Sequence, residues 1–298
     1  MTVRRSHFTR TTKRNMYFYY LILPVMVVLV LMNVYPLIYS LSISLTNFNL
    51  ANPLKKAFIG FQNYIQLFKD PFFYNASFNT AKFVILSIVV EFILGFLVSL
   101  LLYYLRNLGR IFLTIFLLPM MLTPIIVGLM WRFMMNFDVG LVQYCISLLG
   151  LPRFPFLANR STALLMVIFV DVWQWTPFII LLIYSSMQGI PLEPFEAARI
   201  DGASELQVIR YIILPSLRNA AILCLLIRGM DAIREYDKIF TMTSGGPGNS
   251  TETLSFYIYR QGFKLFDLGY AASGSYILLI ITTVLAQILL NNLKKAFK

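Results

Sequence analysis

Charged residues, histidine and cysteine are all scarce in this chain of 298 residues, and each scarcity excludes something. Only 13% of the residues carry a formal charge, about half the share found in an ordinary soluble domain. A water-facing surface of the usual kind cannot be built from so few, which excludes a soluble enzyme. The single histidine, His7, lies in a basic N-terminal stretch, so histidine metal sites and histidine general bases are also excluded. The two cysteines, Cys145 and Cys224, lie in different segments without metal-ligand spacing, and no disulfide between them is expected. The Gly245-Gly246-Pro247-Gly248 run lacks the following Gly-Lys-Ser/Thr that would hold a triphosphate and its magnesium.

What the chain has instead is apolar residues, 58% of the total, with a mean hydropathy of +0.72. They come in long blocks, and a spanning helix needs about 20 mostly apolar residues. Six stretches qualify: roughly Met16 to Ile43, Ala81 to Leu105, Ile111 to Met135, Thr162 to Tyr184, Ile212 to Ala232 and Ser273 to Leu290. The sequence therefore predicts an all-α integral membrane protein of six transmembrane helices, with a basic arm over residues 1–15 and one membrane domain over residues 16–298. The first apolar run exceeds the 7 to 15 residues of a signal-peptide core and no small-x-small cleavage site follows it, so it reads as a retained span.

The net charge of +12 would suggest nucleic acid in a soluble chain. In a membrane chain, basic residues instead hold loops on the cytoplasmic side, next to anionic lipid. If the N-terminus is cytoplasmic, the inside segments are the arm with Arg4, Arg5, Arg10, Lys13 and Arg14, the Arg106 to Arg110 turn, the Ser185 to Arg218 segment, and the tail with Lys294, Lys295 and Lys298. These hold 13 of the 25 basic residues in far fewer positions than the outside loops together occupy, of which Thr46 to Thr80 and Ile233 to Ala272 are the two longest. Both termini are expected to be cytoplasmic, and no nucleic-acid partner is expected.

The inside segment from Gly189 to Leu214 predicts a helix, a turn and a helix. Pro191 and Pro194 suit a helix start, where a missing N–H costs nothing. A short helix over Phe195 to Ile200 is broken by Asp201-Gly202, and Ser204 with Gln207 makes a capping-box pattern for the next. Glu193 and Glu196, one turn apart, read as a solvated helix face in preference to an acid/base pair. Such a prong is either an ordinary structured loop or a dock for a soluble partner.

At this loop the chain resembles a known family. Glu196-Ala197-Ala198, Gly202 after Asp201, and Ile212-Ile213 ahead of Leu214-Pro215 are similar to the EAA motif of ABC-importer permeases: EAA, three residues, Gly, nine residues, Ile, one residue, Leu-Pro. A second likeness, to the carbohydrate-uptake branch, lies in Phe240-Thr241, Gly245-Gly246-Pro247, Thr251-Glu252-Thr253, Tyr259, Gly262-Phe263 and Gly269 to Ala272, together with Asp171 to Phe178. The resemblance implies the type I ABC-importer permease fold and a coupling loop over residues 189–215. In it Glu196, Ala197, Ala198, Asp201, Gly202 and Pro215 would meet an ATPase. It also implies a second homologous permease, two ATPase subunits that bind the ATP and magnesium, an extracytoplasmic solute-binding protein, membrane lipids and a carbohydrate substrate. The expected home is a bacterial or archaeal cytoplasmic (inner) membrane, and no cofactor or catalytic residue is expected in the chain itself.

Ionisable residues inside a span are costly and are functional candidates. The fifth stretch carries Arg228, Asp231, Arg234, Glu235, Asp237 and Lys238, and all but Asp237 share one face if a single helix continues through them. They either line a substrate path or neutralise one another at i,i+3 and i,i+4. In the fourth stretch Asp171, Gln174 and Trp175 share a face, and Pro177 removes one backbone rung; Trp175 alternatively anchors the membrane interface. The candidate path residues are Asp171, Gln174, Trp175, Arg228, Asp231, Arg234 and Asp237, with Glu91 and Arg132 as weaker members. A neutral sugar, an anionic one or a sugar phosphate all fit such a set. A gradient-driven transporter or a membrane-embedded enzyme using Asp171 and Glu91 leaves the prong without a purpose.

Overall fold

The computed structural model describes residues 20–105 and 109–296. The basic arm, residues 16–19, Arg106 and Lys298 lie outside the described residues. Helices in chain order are α1 (Tyr20–Ser44), α2 (Gln62–Leu67), α3 (Pro71–Tyr104), α4 (Gly109–Leu117), α5 (Pro124–Met134) and α6 (Leu141–Leu148). They continue as α7 (Ala163–Gln188), α8 (Glu193–Ile200), α9 (Glu205–Ser216), α10 (Arg218–Ile233), α11 (Leu254–Tyr259) and α12 (Leu268–Ala296). No strand longer than an isolated bridge occurs among the described residues.

Among the described residues four helices, α1, α3, α7 and α12, are long and apolar enough to cross a membrane, and α9 with α10 makes a fifth candidate if the bent pair counts as one. The stretch expected as a third span, Ile111 to Met135, is not one helix. Pro119 and Pro124 each lack a backbone donor and disfavour helix just before them, so α4 ends at Leu117, a tight turn follows over Pro119–Met121, and α5 starts at Pro124. The fifth stretch also departs from expectation, since α9 and α10 meet at a 60° bend. The second span starts ten residues earlier than its apolar run, at Pro71, because Asp70 caps the helix by accepting from the Phe72 amide at 2.8 Å. The last helix likewise outruns its apolar core at both ends, from Leu268 to Ala296, instead of 273–290. Apolarity marks the bilayer, whereas capping marks the helix ends.

The described chain divides into two compact units, one of residues up to Leu67 with Gln261–Tyr276, the other of Phe68–Arg260 with the rest of α12. In the first, the Asn63 amide donates to the carbonyls of Ser44 at 2.8 Å and Thr46 at 2.9 Å, and Gly269 lies so close to the Thr46 carbonyl that a side chain would collide with it. In the second, α3 packs along α7. The buried stripe of α3 is not its most apolar face: it holds Ala76, Asn79, Thr80, Ser87, Glu91, Gly95 and Ser99 beside Phe73, Phe83 and Leu102. Large apolar side chains such as Ile85, Ile93 and Leu97 point outward. This is the arrangement expected in lipid, where small residues let helices approach and apolar ones face the acyl chains. At Gly95 an added Cβ would sit 2.6 Å from Ile179 Cγ2.

Apolar clusters fill the second unit. One joins Phe83, Val127, Val167, Val170, Ile239 and Phe256; another joins Ile179, Ile183, Met187, Ile213, Leu217 and Cys224. Along both α3 and α7 the polar residues Glu91, Asp171 and Gln174 fall between the positions that feed these clusters.

Candidate functional site

The 189–215 loop forms by the local chemistry its residues encode. Helix α8 has Pro194 in its first turn with Glu193 and Glu196, whose charges suit the helix N-terminus, and Arg199 in its last turn. It stops in a glycine motif: the Gly202 amide donates to the Arg199 carbonyl at 3.2 Å and the Ala203 amide to the Ala198 carbonyl at 2.9 Å. Gly202 has φ of 71°, and nothing lies within 4 Å of where a Cβ would stand. Backbone conformation, not space, therefore calls for glycine there. Ser204 then caps α9 reciprocally, its amide donating to Gln207 Oε1 at 2.7 Å and the Gln207 amide to Ser204 Oγ at 3.4 Å.

One side of this elbow is anchored and the other is open. Phe195, Val208 and Ile209 pack onto the apolar cluster of Met187, Ile213 and Leu217. Glu196, Ala197, Asp201, Gly202 and Pro215 are exposed, and Ala198 is half-buried. The elbow encloses a concavity of about 350 Å³ lined by Ala198, Asp201, Gly202, Gln207 and Tyr211. Around it Leu192, Ile200, Leu206 and Tyr211 expose large apolar surface, 85% in the case of Ile200. Clustered exposed apolar residues with a polar rim mark a surface made for a partner.

The second feature is a buried charge network. Arg228 lies on α10 ten residues past Arg218, about 15 Å along the axis, and is 1% exposed. Its Nε donates to Glu91 Oε2 at 2.8 Å and its Nη2 to Glu91 Oε1 at 2.7 Å, a bidentate pair between α10 and α3. The same Nη2 also donates to Asp171 Oδ2 on α7. Lys238 continues the chain of contacts, with Nζ 3.0 Å from Asp171 Oδ1 and 2.8 Å from Glu235 Oε2. It donates as well to Gln174 Oε1 at 3.3 Å. The Gln174 amide in turn donates to the Leu122 carbonyl at 2.9 Å, in the irregular link before α5. Non-helical backbone at membrane depth needs such a donor, since lipid supplies none. The Trp175 ring lies 5.2 Å from the Arg228 guanidinium, within cation–π range.

Three carboxylates thus face two cations in a site almost sealed from solvent. The structure brings Asp171, Gln174, Trp175 and Arg228, candidates from two separate stretches, into one buried group. The partners of Arg228 are Glu91 and Asp171, not Asp231. The expectation of one continuous face through Lys238 fails because α10 ends at Ile233; the backbone then turns and re-coils over Ile239–Thr243. Asp231 and Arg234 are consequently solvent-exposed and pair with each other at 3.7 Å, while Asp237 is half-buried and its carbonyl accepts from Thr241 Oγ1. Arg132 donates to the Thr241 carbonyl at 3.1 Å. Glu91, Glu235 and Lys238 are the network members that sequence reasoning underrated; the signal for Glu91 was an acid alone in an apolar run of α3.

Residues 91–298 match the family model described as binding-protein-dependent transport system inner membrane component, a stretch that contains both the elbow and every member of the network. The chain belongs to this family. Among curated relatives of this transport component, it is 36% identical over 89% of its length to a probable ABC transporter permease, y4oQ, of Sinorhizobium fredii, covering 85% of that protein. It is 34% identical to the trehalose/maltose transport system permease protein MalF of Thermococcus litoralis, over 90% of this chain and 88% of that one. Its fold is also that of a chain from a bacterial ABC transporter involved in the import of the acidic polysaccharide alginate, with a TM-score of 0.85 at 22% identity, covering 98% of this chain and all of that one. The inner-membrane component is therefore a helical permease of the ABC-importer kind.

Proposed function

We propose that this chain is one permease subunit of an ATP-driven importer that carries a sugar or oligosaccharide into the cytoplasm by alternating access. The observation that carries this reading is the elbow of α8 and α9, with its glycine turn, its small Ala197 and Ala198 that permit close approach, and its exposed apolar rim. In this reading two ATPase subunits bind ATP and magnesium and dock on the elbows, one on this chain and one on a second homologous permease. An extracytoplasmic binding protein delivers substrate to the outer loops. Closure of the ATPase pair moves the elbows, and the helices above them switch access; the permease itself hydrolyses nothing. Residues 16–298 make one permease domain behind the basic arm, both termini are cytoplasmic, and the broken α4–α5 segment is the sixth crossing.

Asp171, Gln174, Trp175 and Arg228 border the path near mid-membrane, and Asp231, Arg234 and Asp237 stand at its outer end. Both buried cations are already held by carboxylates, which favours a neutral polyhydroxyl substrate over a sugar phosphate. A carbohydrate is also what the trehalose/maltose permease relative carries by name. The test is reconstitution of this chain with its partner permease, ATPase subunits and binding protein in liposomes, offered labelled trehalose, maltose and longer glucans. Unmodified sugar should accumulate only with ATP and all subunits present. Transport by the chain alone on an ion gradient, or release of a chemically altered sugar, would overturn the proposal.

A further inference from the structure

Two covalent routes lead from the elbow toward the buried network, and both are irregular. Toward α7 the chain runs through the non-helical link Gly189 to Leu192. Toward α10 it runs through a π-helical turn, Ile209–Ile213, and then the 60° bend ahead of Arg218. Such irregular turns and bends are where helices flex. Helix α3, by contrast, is an uninterrupted 34-residue helix that touches the elbow at one end and the network in its middle.

The elbow end of α3 is fastened by two adjacent tyrosines. The Tyr104 hydroxyl, on the last residue of α3, donates to Glu205 Oε2 at 2.6 Å, and Glu205 is the first residue of α9, three positions past the Gly202 turn. The Tyr103 ring lies 6.3 Å from the Phe195 ring of α8 and stands edge-on to Tyr104 at 5.9 Å. So α8 and α9, the two arms of the elbow, each meet one of these tyrosines. Phe92, Phe96 and Leu100 of α3 enter the same apolar cluster as Phe195, Val208 and Ile209. Thirteen residues before Tyr104, about 20 Å along a rigid helix, Glu91 grips Arg228 with both carboxylate oxygens.

We infer that α3 is the strut that transmits elbow movement to the buried network, and that Tyr104 is the positioning residue that clamps the elbow to it through Glu205. The inference rests on the importer reading for its purpose, but the clamp itself is a property of this chain. It makes a specific distinction between neighbours: the clamp needs the tyrosine hydroxyl as donor and an oxygen acceptor at position 205, but not a negative charge there.

The test is the distance between spin labels at Leu101 on α3 and Glu193 on α8, both exposed, in a Cys145→Ser, Cys224→Ala background. It is measured on the assembled transporter without nucleotide and with ATP plus vanadate, and on the chain alone in nanodiscs. With Tyr104 intact the distribution should stay narrow and its mean should not move on vanadate trapping, since elbow and strut travel together. Tyr104→Phe should raise the undocked fraction about five-fold, as loss of a partly exposed hydrogen bond to a charged acceptor implies, and should let the mean shift on trapping. Glu205→Gln, which keeps an acceptor, should retain the narrow distribution, and Glu205→Ala should match Tyr104→Phe without adding to it. An intact chain whose label distance changes on trapping as much as the Tyr104→Phe variant, or a Tyr104→Phe distribution identical to the parent, overturns the inference. If no ATPase subunit associates with the intact chain, the importer reading fails, while the nanodisc comparison of parent and Tyr104→Phe still decides the clamp.

Discussion

Substitution of Arg228 by methionine tests the buried network at its centre. Methionine keeps much of the length and loses the charge, so packing against Trp175 survives while Glu91 and Asp171 lose a shared cation. Both carboxylates are fully buried and Arg228 itself is 1% exposed, so water cannot compensate at little cost. Breaking a buried ion pair by removing one partner costs about 3–5 kcal/mol, because the remaining charge is stranded. Asp171 keeps Lys238 as a partner; Glu91 keeps none of its Arg228 bonds. The loss should therefore fall mostly on Glu91, which leads to a second expectation. Glu91→Leu combined with Arg228→Met removes both ends of the bidentate pair and should recover much of the deficit, with a coupling energy within the range of about 0.5–3 kcal/mol seen for contacting residues. Asp231→Asn, in an exposed pair at 3.7 Å, should stay within about 1 kcal/mol of the parent. The assay is denaturant unfolding in nanodiscs, followed by tryptophan fluorescence, for the four variants and the parent. An Arg228→Met variant as stable as Asp231→Asn, or a double variant that merely sums the two single losses, would refute the network as drawn.

Further expectations concern particular contacts. Gly202→Ala must hold alanine at φ of 71°, at a cost of about 1–2 kcal/mol; it and Glu196→Lys should leave the protein in the membrane but uncouple ATP hydrolysis from uptake, which parallel ATPase and transport assays would show. Gln174→Leu strips the Leu122 carbonyl of its donor and Lys238 of an acceptor and should destabilise by about 1–3 kcal/mol, with faster hydrogen exchange at the start of α5. Gly95→Val forces atoms into a gap where Ile179 already stands 2.6 Å from an ideal Cβ; overpacking by about 1–3 kcal/mol should lower the unfolding midpoint and the yield of folded permease.

What could be read from the chain was what depends on neighbours in sequence. The elbow is the clearest case, because Pro194, Gly202 and the Ser204–Gln207 pair start, stop and restart helices through contacts within a few residues. The apolar runs behind α1, α3, α7 and α12 were legible for a similar reason, since length and hydropathy are additive along a segment. The breaks were also written locally, in Pro119 and Pro124, but a sliding measure of apolarity passes over them, so α4 and α5 were read as one span. The partnerships of the buried charges were not written locally at all. Glu91 and Arg228 are 137 positions apart, and Asp171 and Arg228 are 57 apart. A charge in an apolar run announces that it needs a partner but not which one. Helix packing made the choice: α10 ends at Ile233 and exposes Asp231 and Arg234, while the small stripe on α3 brings Glu91 against Arg228. Composition and local chemistry determined a helical membrane chain with a preformed elbow. Only the tertiary structure decided which of its few charges are sealed together, because that depends on where helices bend and how closely their backbones approach.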